Sequence, residues 1–222
     1  MTGPNAPSFG RLFGPLAIPQ SSLLTPRFVY FSFHYGRDIR RVQQVKNHWV
    51  TKGNYRAAGY FDGSLEEKAK KESAQAVKRA INLGMAGSSV TCVLIGAETS
   101  TREWVAYEIF RSIERGRGIF GVRIHNVKDP RDGTDVFGLS PFANLAYAPH
   151  PNSDKLWPYA KYQNGWRQFT LAEPVVPAVS RYLIPKIENQ LDGKFRIYDW
   201  VNEYGYHNFP SWVDLAAKEA GR

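Results

Sequence analysis

The chain has 222 residues, of which 43% are hydrophobic and 14% aromatic, enough to build one ordinary domain with additions around it. The formal net charge is +9, which suits a phosphate-bearing ligand and equally suits a generally basic surface. A lone cysteine, Cys92, excludes a disulfide framework or a cysteine-based zinc site, and no apolar run approaches the ~20 residues of a membrane span.

The first predicted strand follows a segment with no pattern of its own. Residues 1–26 lack the basic start and the unbroken apolar run of a signal peptide, so we expect a flexible extension and a cytoplasmic protein. Arg27 to Phe33 is aromatic and β-branched, which predicts a strand. After a polar turn, Asp38 is placed to cap a helix that runs from Ile39 to about Lys52.

The next segments predict a loop, a helix and a buried strand. Residues 54–64 contain two glycines and read as a loop, and Leu65 to Leu83 has the apolar stripe of an amphipathic helix. Val90 to Ile95 is a continuous apolar run, which is typical of a central strand in a parallel sheet.

A further helix and strand complete the alternation. Ser100 and Glu103 have the spacing of a capping box at the start of a helix from Thr101 to Arg115. Ile119 to Ile124 is the next apolar strand. This alternation predicts an α/β fold with a mainly parallel central sheet flanked by helices. Ligands of such sheets bind beyond the carboxyl ends of the strands, and the turns that follow the first two strands lie there.

The periodicity weakens after residue 125. Residues 125–177 mix proline, glycine and asparagine with tryptophan and tyrosine, which indicates a long ordered insertion because the aromatic side chains need burial. Val179 to Gln190 is predicted to be a helix interrupted near Pro185. The chain then alternates aromatic and turn residues and finishes in a short helix.

Glu108 is the candidate catalytic carboxylate. On a helical wheel it lies about 40° from Trp104, one turn earlier, and at the edge of an apolar face that includes Val105 and Ile109. A carboxylate at that edge is partly desolvated and can face a cleft. The alternative is a surface glutamate that pairs with Arg111 or Arg115, because structural ion pairs also hold such residues.

Aromatic and polar side chains near the same edge are candidates for binding substrate. Phe33, Tyr35 and Phe61 can stack on a base or on a nicotinamide ring. His34 follows the first strand, although an ordinary loop histidine is an equal interpretation. Asp62 precedes a predicted helix and is as well suited to capping it as to touching a ligand. No metal-binding pattern is present.

Several stretches resemble the TIR (Toll/interleukin-1 receptor) domains, and among these the TIR-like proteins of the Thoeris anti-phage system. The first strand FVYFSFHYGRD resembles the aromatic-rich first strand of TIR domains. The segment VTCVLIGAETSTREWVAYEI resembles the one in which Trp-x-x-x-Glu carries the catalytic glutamate, here Trp104 and Glu108. The stretches NHWVTK, AAGYFD, IYDWV and SWV extend the resemblance, which covers Phe28 to Val213.

The resemblance implies a flavodoxin-like TIR fold over residues 27–125, with residues 126–222 as a family-specific part packed on that core. It implies NAD⁺ as substrate with no cofactor and Glu108 as the catalytic residue. In such a reaction the departing ring would stack on Trp104 or Phe33. It further implies a phage-derived trigger, self-association and a cyclic ADP-ribose isomer that activates a partner effector, the A component.

One position departs from the resemblance. Where many NAD⁺-cleaving TIR domains have an arginine after the first strand, this chain has His34 and Tyr35, so Arg37, Arg40 or Arg41 becomes the candidate for the pyrophosphate.

Two other functions fit the same residues. The chain is also compatible with an N-glycosidase similar to nucleoside deoxyribosyltransferases, which would use Glu108 as a covalent nucleophile. A TIR module that only assembles with partners is the non-enzymatic alternative. Neither a membrane nor a nucleic acid is an expected partner.

Overall fold

The structure, a computed structural model, describes residues 27–51, 56–60 and 73–222. The strands are β1 (Phe28–Ser32), β2 (Arg56–Tyr60), β3 (Val90–Ile95), β4 (Gly118–Arg123), β5 (Leu145–His150), β6 (Ser153–Tyr162), β7 (Gly165–Gln168), β8 (Asn189–Gln190) and β9 (Ile197–Asp199). The helices are α1 (Tyr35–Thr51), α2 (Ala74–Gly84), α3 (Glu103–Glu114) and α4 (Gly205–Glu219). Among these, no helix combines the length and apolarity that a membrane span requires.

The central sheet has five strands in the order β2-β1-β3-β4-β9, and every pairing is parallel. This is the flavodoxin-like order of doubly wound folds, whose switch point lies between β1 and β3. All residues of β3 are buried, because helices cover both faces of the sheet. The predicted α/β class with a parallel, helix-flanked sheet is therefore confirmed.

One face of the sheet packs against α1 and α4. Its core includes Phe31 from β1, Cys92 from β3 and Phe209 from α4. A methyl group at Gly118 would lie 2.5 Å from the Ala216 carbonyl oxygen, so α4 approaches β4 more closely than any side chain there would allow. The core on this face of the sheet is therefore built by residues from before and after position 125.

The opposite face packs against α2 and α3. Tyr30 from β1 and Val93 from β3 lie there with Ile109 from α3. Because side chains alternate along a strand, Tyr30 and Ser32 share this face while Phe31 lies on the other.

A second, antiparallel sheet in the order β7-β6-β5-β8 covers the outer side of α3. The ring of Phe110 lies 5.1 Å from Tyr147 of β5 and 5.2 Å from Phe169, which follows β7. Helix α3 is therefore enclosed between two sheets, and its buried residues extend around most of its circumference.

Several element predictions were wrong. The segment 54–64, predicted to be a loop, contains strand β2, which pairs with β1. The strand was not recognised because it is rich in glycine and alanine. The helix predicted for Val179 to Gln190 is absent. A short 3₁₀ turn at Pro177–Val179 and the strand β8 replace it. The insertion at 125–177 is ordered, as expected, but it carries β5, β6 and β7, whose partners are neighbouring strands of the same sheet.

Helix boundaries also differ from the prediction. Helix α1 begins at Tyr35 rather than Ile39, so Asp38 lies inside its first turn instead of capping it. Helix α2 begins at Ala74, after Ser73 in an extended conformation, so the helix predicted from Leu65 to Leu83 is not continuous through Ser73, and its first residues lie outside the described part of the chain. Helix α3 begins after Arg102 with no side-chain cap, so the predicted capping box of Ser100 and Glu103 does not form.

Candidate active site

Glu108 is buried against the first strand, with 3% of its surface exposed. The Tyr30 hydroxyl donates a hydrogen bond to its Oε1, and the Ser32 hydroxyl donates one to its Oε2. Strand alternation brings both hydroxyls to the α3 side of the sheet, and Ser32 is the last residue of β1. The carboxylate is thus fixed at both oxygens near the carboxyl end of a central strand.

The backbone of α3 is also held to the sheet one turn after Glu108. The Ser112 hydroxyl donates to the Glu108 carbonyl oxygen at 2.7 Å and lies 2.8 Å from the Thr91 hydroxyl of β3. This buried polar pair fixes the position of α3 on β3. It therefore also fixes the backbone position from which the Glu108 side chain extends.

The alternative of a surface glutamate paired with an arginine does not hold. Arg111 pairs with Glu114 at 2.5 Å, and both Arg111 and Arg115 donate to Asn82. The wheel placed Glu108 at the edge of the buried face, whereas the structure places it fully inside. The difference arises because β1 lies against this edge of α3, where Tyr30 and Ser32 enclose the carboxylate.

The predicted aromatic residues lie in different surroundings. Trp104 is partly buried and packs edge-on against Tyr107, with ring centres 5.8 Å apart. Phe33 is buried in the core beneath α1, with its ring 6.4 Å from that of Tyr35. Phe61 and Asp62 lie outside the described residues. The roles of these residues toward a substrate stay predictions.

His34 lines a charged cleft of about 540 Å³ at the same edge of the sheet. Its Nδ1 lies 3.9 Å from a carboxylate oxygen of Glu98. Side chains of both charges line the rest of the cleft, namely Arg37, Arg40, Arg41, Glu98, Asp132 and Asp135. Glu108 does not line this cleft.

The arginines of the charged cleft are already engaged by carboxylates. Arg37 binds Asp135 through two parallel hydrogen bonds of 2.7 and 2.8 Å, and these bonds hold the Asp135 pKa down at about 2. Arg40 bonds Asp129 and Asp132, each at 2.7 Å. Arg41 is buried and donates to two backbone carbonyls. A pyrophosphate at these arginines would have to displace the carboxylates.

Asp38 is a buried carboxylate behind the charged cleft. Its surface is fully buried, and the nearest cation is Arg41 at 4.0 Å. Burial raises its pKa to about 6, against the lowering effect of Arg41. A methyl group at Gly96, the residue after β3, would lie 2.2 Å from the Asp38 carboxylate, so only glycine fits there. Asp38 therefore packs directly on the turn that leads toward α3.

Sequence reasoning found Glu108 but missed the residues that hold it. The signal for them was present, because the stretch FVYFS alternates and places its two hydroxyl residues, Tyr30 and Ser32, on one face. What the pattern did not show was that this face meets α3, whose sequence lies far along the chain.

Comparison with known proteins identifies the family of the chain. A family model described as "Thoeris protein ThsB, TIR-like domain" matches residues 30–129, which span β1 to β4 and include Glu108. A protein of Bacillus cereus (strain MSX-D12) named "Putative cyclic ADP-D-ribose synthase ThsB1" is 43% identical over 194 residues, covering 84% of this chain and 98% of the relative. The chain belongs to the ThsB family.

Membership in the ThsB family explains the central architecture. The matched range begins at Tyr30, inside β1, and ends at Asp129, just after β4. The likeness to the Bacillus cereus ThsB1 extends well beyond that range, because it covers nearly all of the relative. Because the match covers 84% of this chain, it extends past residue 129 and into the second sheet.

Proposed function

We propose that this ThsB-family chain cleaves the nicotinamide–ribose bond of NAD⁺ and closes the remaining ADP-ribose into a cyclic product. The observation that carries the proposal is the buried Glu108, whose two oxygens accept hydrogen bonds from Tyr30 and Ser32. The name of the Bacillus cereus relative, a cyclic ADP-D-ribose synthase, supports the same chemistry.

A single carboxylate suffices for this reaction. The bond between C1 of the ribose and the nicotinamide nitrogen breaks, and its electron pair leaves with the nicotinamide, which changes from cationic to neutral. No general acid is needed for that departure, unlike in glycosidases, which use two carboxyl groups. The remaining task is to stabilise the positive charge that develops on the ribose, and a fixed carboxylate in a dry site does this well.

The hydroxyls of Tyr30 and Ser32 fix the orientation of the carboxylate, because each donates a hydrogen bond to a different one of its two oxygens. The carboxylate would thus be oriented before substrate arrives, which lowers the cost of positioning it in the transition state.

Burial favours cyclisation over hydrolysis. The cation at C1 is captured by whichever nucleophile reaches it first, and that nucleophile then loses a proton. Water gives ADP-ribose, whereas a ribose hydroxyl of the same molecule gives a ring. Glu108 is almost fully buried, so bulk water has little access to its carboxylate, which favours the intramolecular nucleophile.

The biological setting belongs to the same proposal. The cyclic product would act as a diffusible signal for the partner effector of Thoeris, the A component. A phage-derived trigger would start the reaction in the cytoplasm, NAD⁺ would be substrate with no added cofactor, and self-association would complete the active form.

The test replaces Glu108 by glutamine and measures nicotinamide release and cyclic product in extracts of phage-infected cells. Glu108→Gln keeps the shape of the side chain but removes its charge, so we expect product formation to fall by about 10²-fold or more. Glu114→Gln is the matched control, because Glu114 lies on the same helix but pairs with Arg111.

Wild-type product levels from Glu108→Gln would refute the proposal. Activity on deoxynucleosides but not on NAD⁺, with a trapped glycosyl-enzyme, would establish the N-glycosidase alternative instead.

A further inference from the structure

A second cleft, of about 490 Å³, lies between the amino end of α3 and the hairpin of β6 and β7. Helix α3 contributes Glu103 and Ala106, and Arg102 precedes them. The hairpin contributes Tyr162 and Arg167. We call it the hairpin cleft.

The hairpin cleft is separate from the Glu108 site. Ala106 precedes Glu108 by two residues, which places it about 160° away around α3. Phe110, two residues after Glu108, faces the second sheet through Tyr147 and Phe169. The cleft therefore opens on the side of α3 that faces the second sheet, whereas Glu108 faces β1.

The lining of the hairpin cleft combines an apolar floor with a polar rim. Phe169, Leu145 and Ala160 are buried at its base. Tyr162 is 44% exposed, so its ring is open to a ligand. Side-chain amides complete the rim, from Asn144, Gln163 and Asn164. A flat ring with polar edges matches this combination, because aromatic faces stack on rings and amides bond their edges.

In the described part of the chain, three cations line the hairpin cleft, namely Arg102, Lys161 and Arg167, and both arginines have donors that can bind an anion. Within the described ranges, Arg167 takes part in no ion pair and is exposed. Arg102 bonds Glu98 through one guanidinium nitrogen, while its buried Nε meets no hydrogen-bond partner among the described residues. Glu103 is the only carboxylate in the described lining. An arginine with free donors binds phosphate oxygens in a fork geometry.

We propose that the hairpin cleft binds a phosphorylated nucleoside. The base would lie on Tyr162 with its edge toward the amides, and the phosphate would bind Arg167 and the free donor of Arg102. The cleft volume falls within the range of sites that hold ligands of this size. This site is independent of the proposed cleavage of NAD⁺, because it needs no contribution from Glu108.

Isothermal titration with AMP tests the site on the full chain. We expect AMP to bind the wild type and Glu108→Gln equally. Arg167→Glu and Tyr162→Ala should each weaken binding by about tenfold or more, because they remove the phosphate ligand and the stacking surface. Adenosine, which lacks the phosphate, should bind the wild type more weakly than AMP.

Lys155→Glu is the matched control, because Lys155 is an exposed cation on β6 that does not line the cleft. Thermal unfolding of each variant verifies its fold, and Arg167→Gln serves if Arg167→Glu is unstable. The proposal is overturned if AMP does not bind, or if Arg167→Glu and Tyr162→Ala leave the AMP affinity unchanged. It is also overturned if Lys155→Glu lowers the AMP affinity as much as Arg167→Glu does. Since nicotinamide release is assayed separately, failure here leaves the NAD⁺ proposal standing.

Discussion

Tyr30 and Ser32 each present one hydroxyl to a different oxygen of Glu108. At the scale of single residues, these hydrogen bonds join three side chains from two elements. The sequence predicted the glutamate, because its spacing from Trp104 on a helix is local. It did not predict the two hydroxyls, because their partner lies on an element that folding alone brings to β1.

Tyr30→Phe removes one of these hydrogen bonds and leaves the ring in place. We expect nicotinamide release to fall by about 10- to 100-fold, because a carboxylate that has lost one of these two hydroxyl donors is less well oriented. Tyr147→Phe is the control, since its hydroxyl is also buried but bonds the Phe110 carbonyl at 3.5 Å, away from Glu108. Equal activity in both variants would show that the Tyr30 hydroxyl does not position the carboxylate.

Asp38 gives the protein a characteristic pH dependence. Its pKa is about 6 in the folded chain, against 3.8 for the unfolded reference, so folding favours its protonated form. The corresponding stability is fully present below pH 3.8 and is lost as the pH rises through 6. The loss amounts to about 3 kcal/mol.

Asp38→Asn should remove this dependence, because asparagine cannot ionise. Denaturant unfolding of both proteins from about pH 3.5 to 7 measures it, and the difference between them isolates Asp38 from Asp135 and other carboxylates. We expect the variant to become more stable, relative to the wild type, toward pH 7. Parallel profiles would mean that Arg41 compensates the buried charge completely.

At the scale of elements, α4 packs closely on the central sheet at Gly118, where no side chain separates the two elements. The Ala216 carbonyl approaches Gly118 so closely that a methyl group there would lie 2.5 Å away. Gly118→Ala should therefore force α4 outward and lower the free energy of unfolding by about 1–3 kcal/mol. Gly36→Ala is the control, because its nearest neighbour in space would be 3.7 Å away and alanine favours a helix. Urea unfolding that finds Gly118→Ala as stable as wild type would contradict this packing.

Elements with a local sequence pattern were predicted correctly, and elements that lack one were missed. Val90–Ile95 and the body of α3 were predicted well, because a buried strand and an amphipathic helix each carry a local pattern. Strand β2 was missed because alanine and glycine are not typical strand residues, and β8 because it has only two residues. The ion pairs that neutralise Arg37 and Arg40 were also hidden, since their carboxylates follow β4.

At the scale of the whole molecule, the central sheet is not complete within residues 27–125. β9 pairs with β4 at one edge, and α4 covers the apolar face around Phe31 and Phe120. A fragment of residues 27–125 would expose that face. We therefore expect it to be insoluble or partly unfolded, with a weak and uncooperative thermal transition in circular dichroism. A soluble fragment with a sharp transition would show that the TIR-like core folds alone.

Gly121 of β4 pairs with Ile197 of β9, and the chain between these two residues includes all four strands of the second sheet. Closing so long a loop costs conformational entropy and slows folding. A ribosome makes Glu108 and its helix well before it makes β9 and α4, so the sheet behind Glu108 stays unfinished while synthesis continues. We expect the growing chain to be unable to consume NAD⁺, and its topology would then delay activity until synthesis has passed α4.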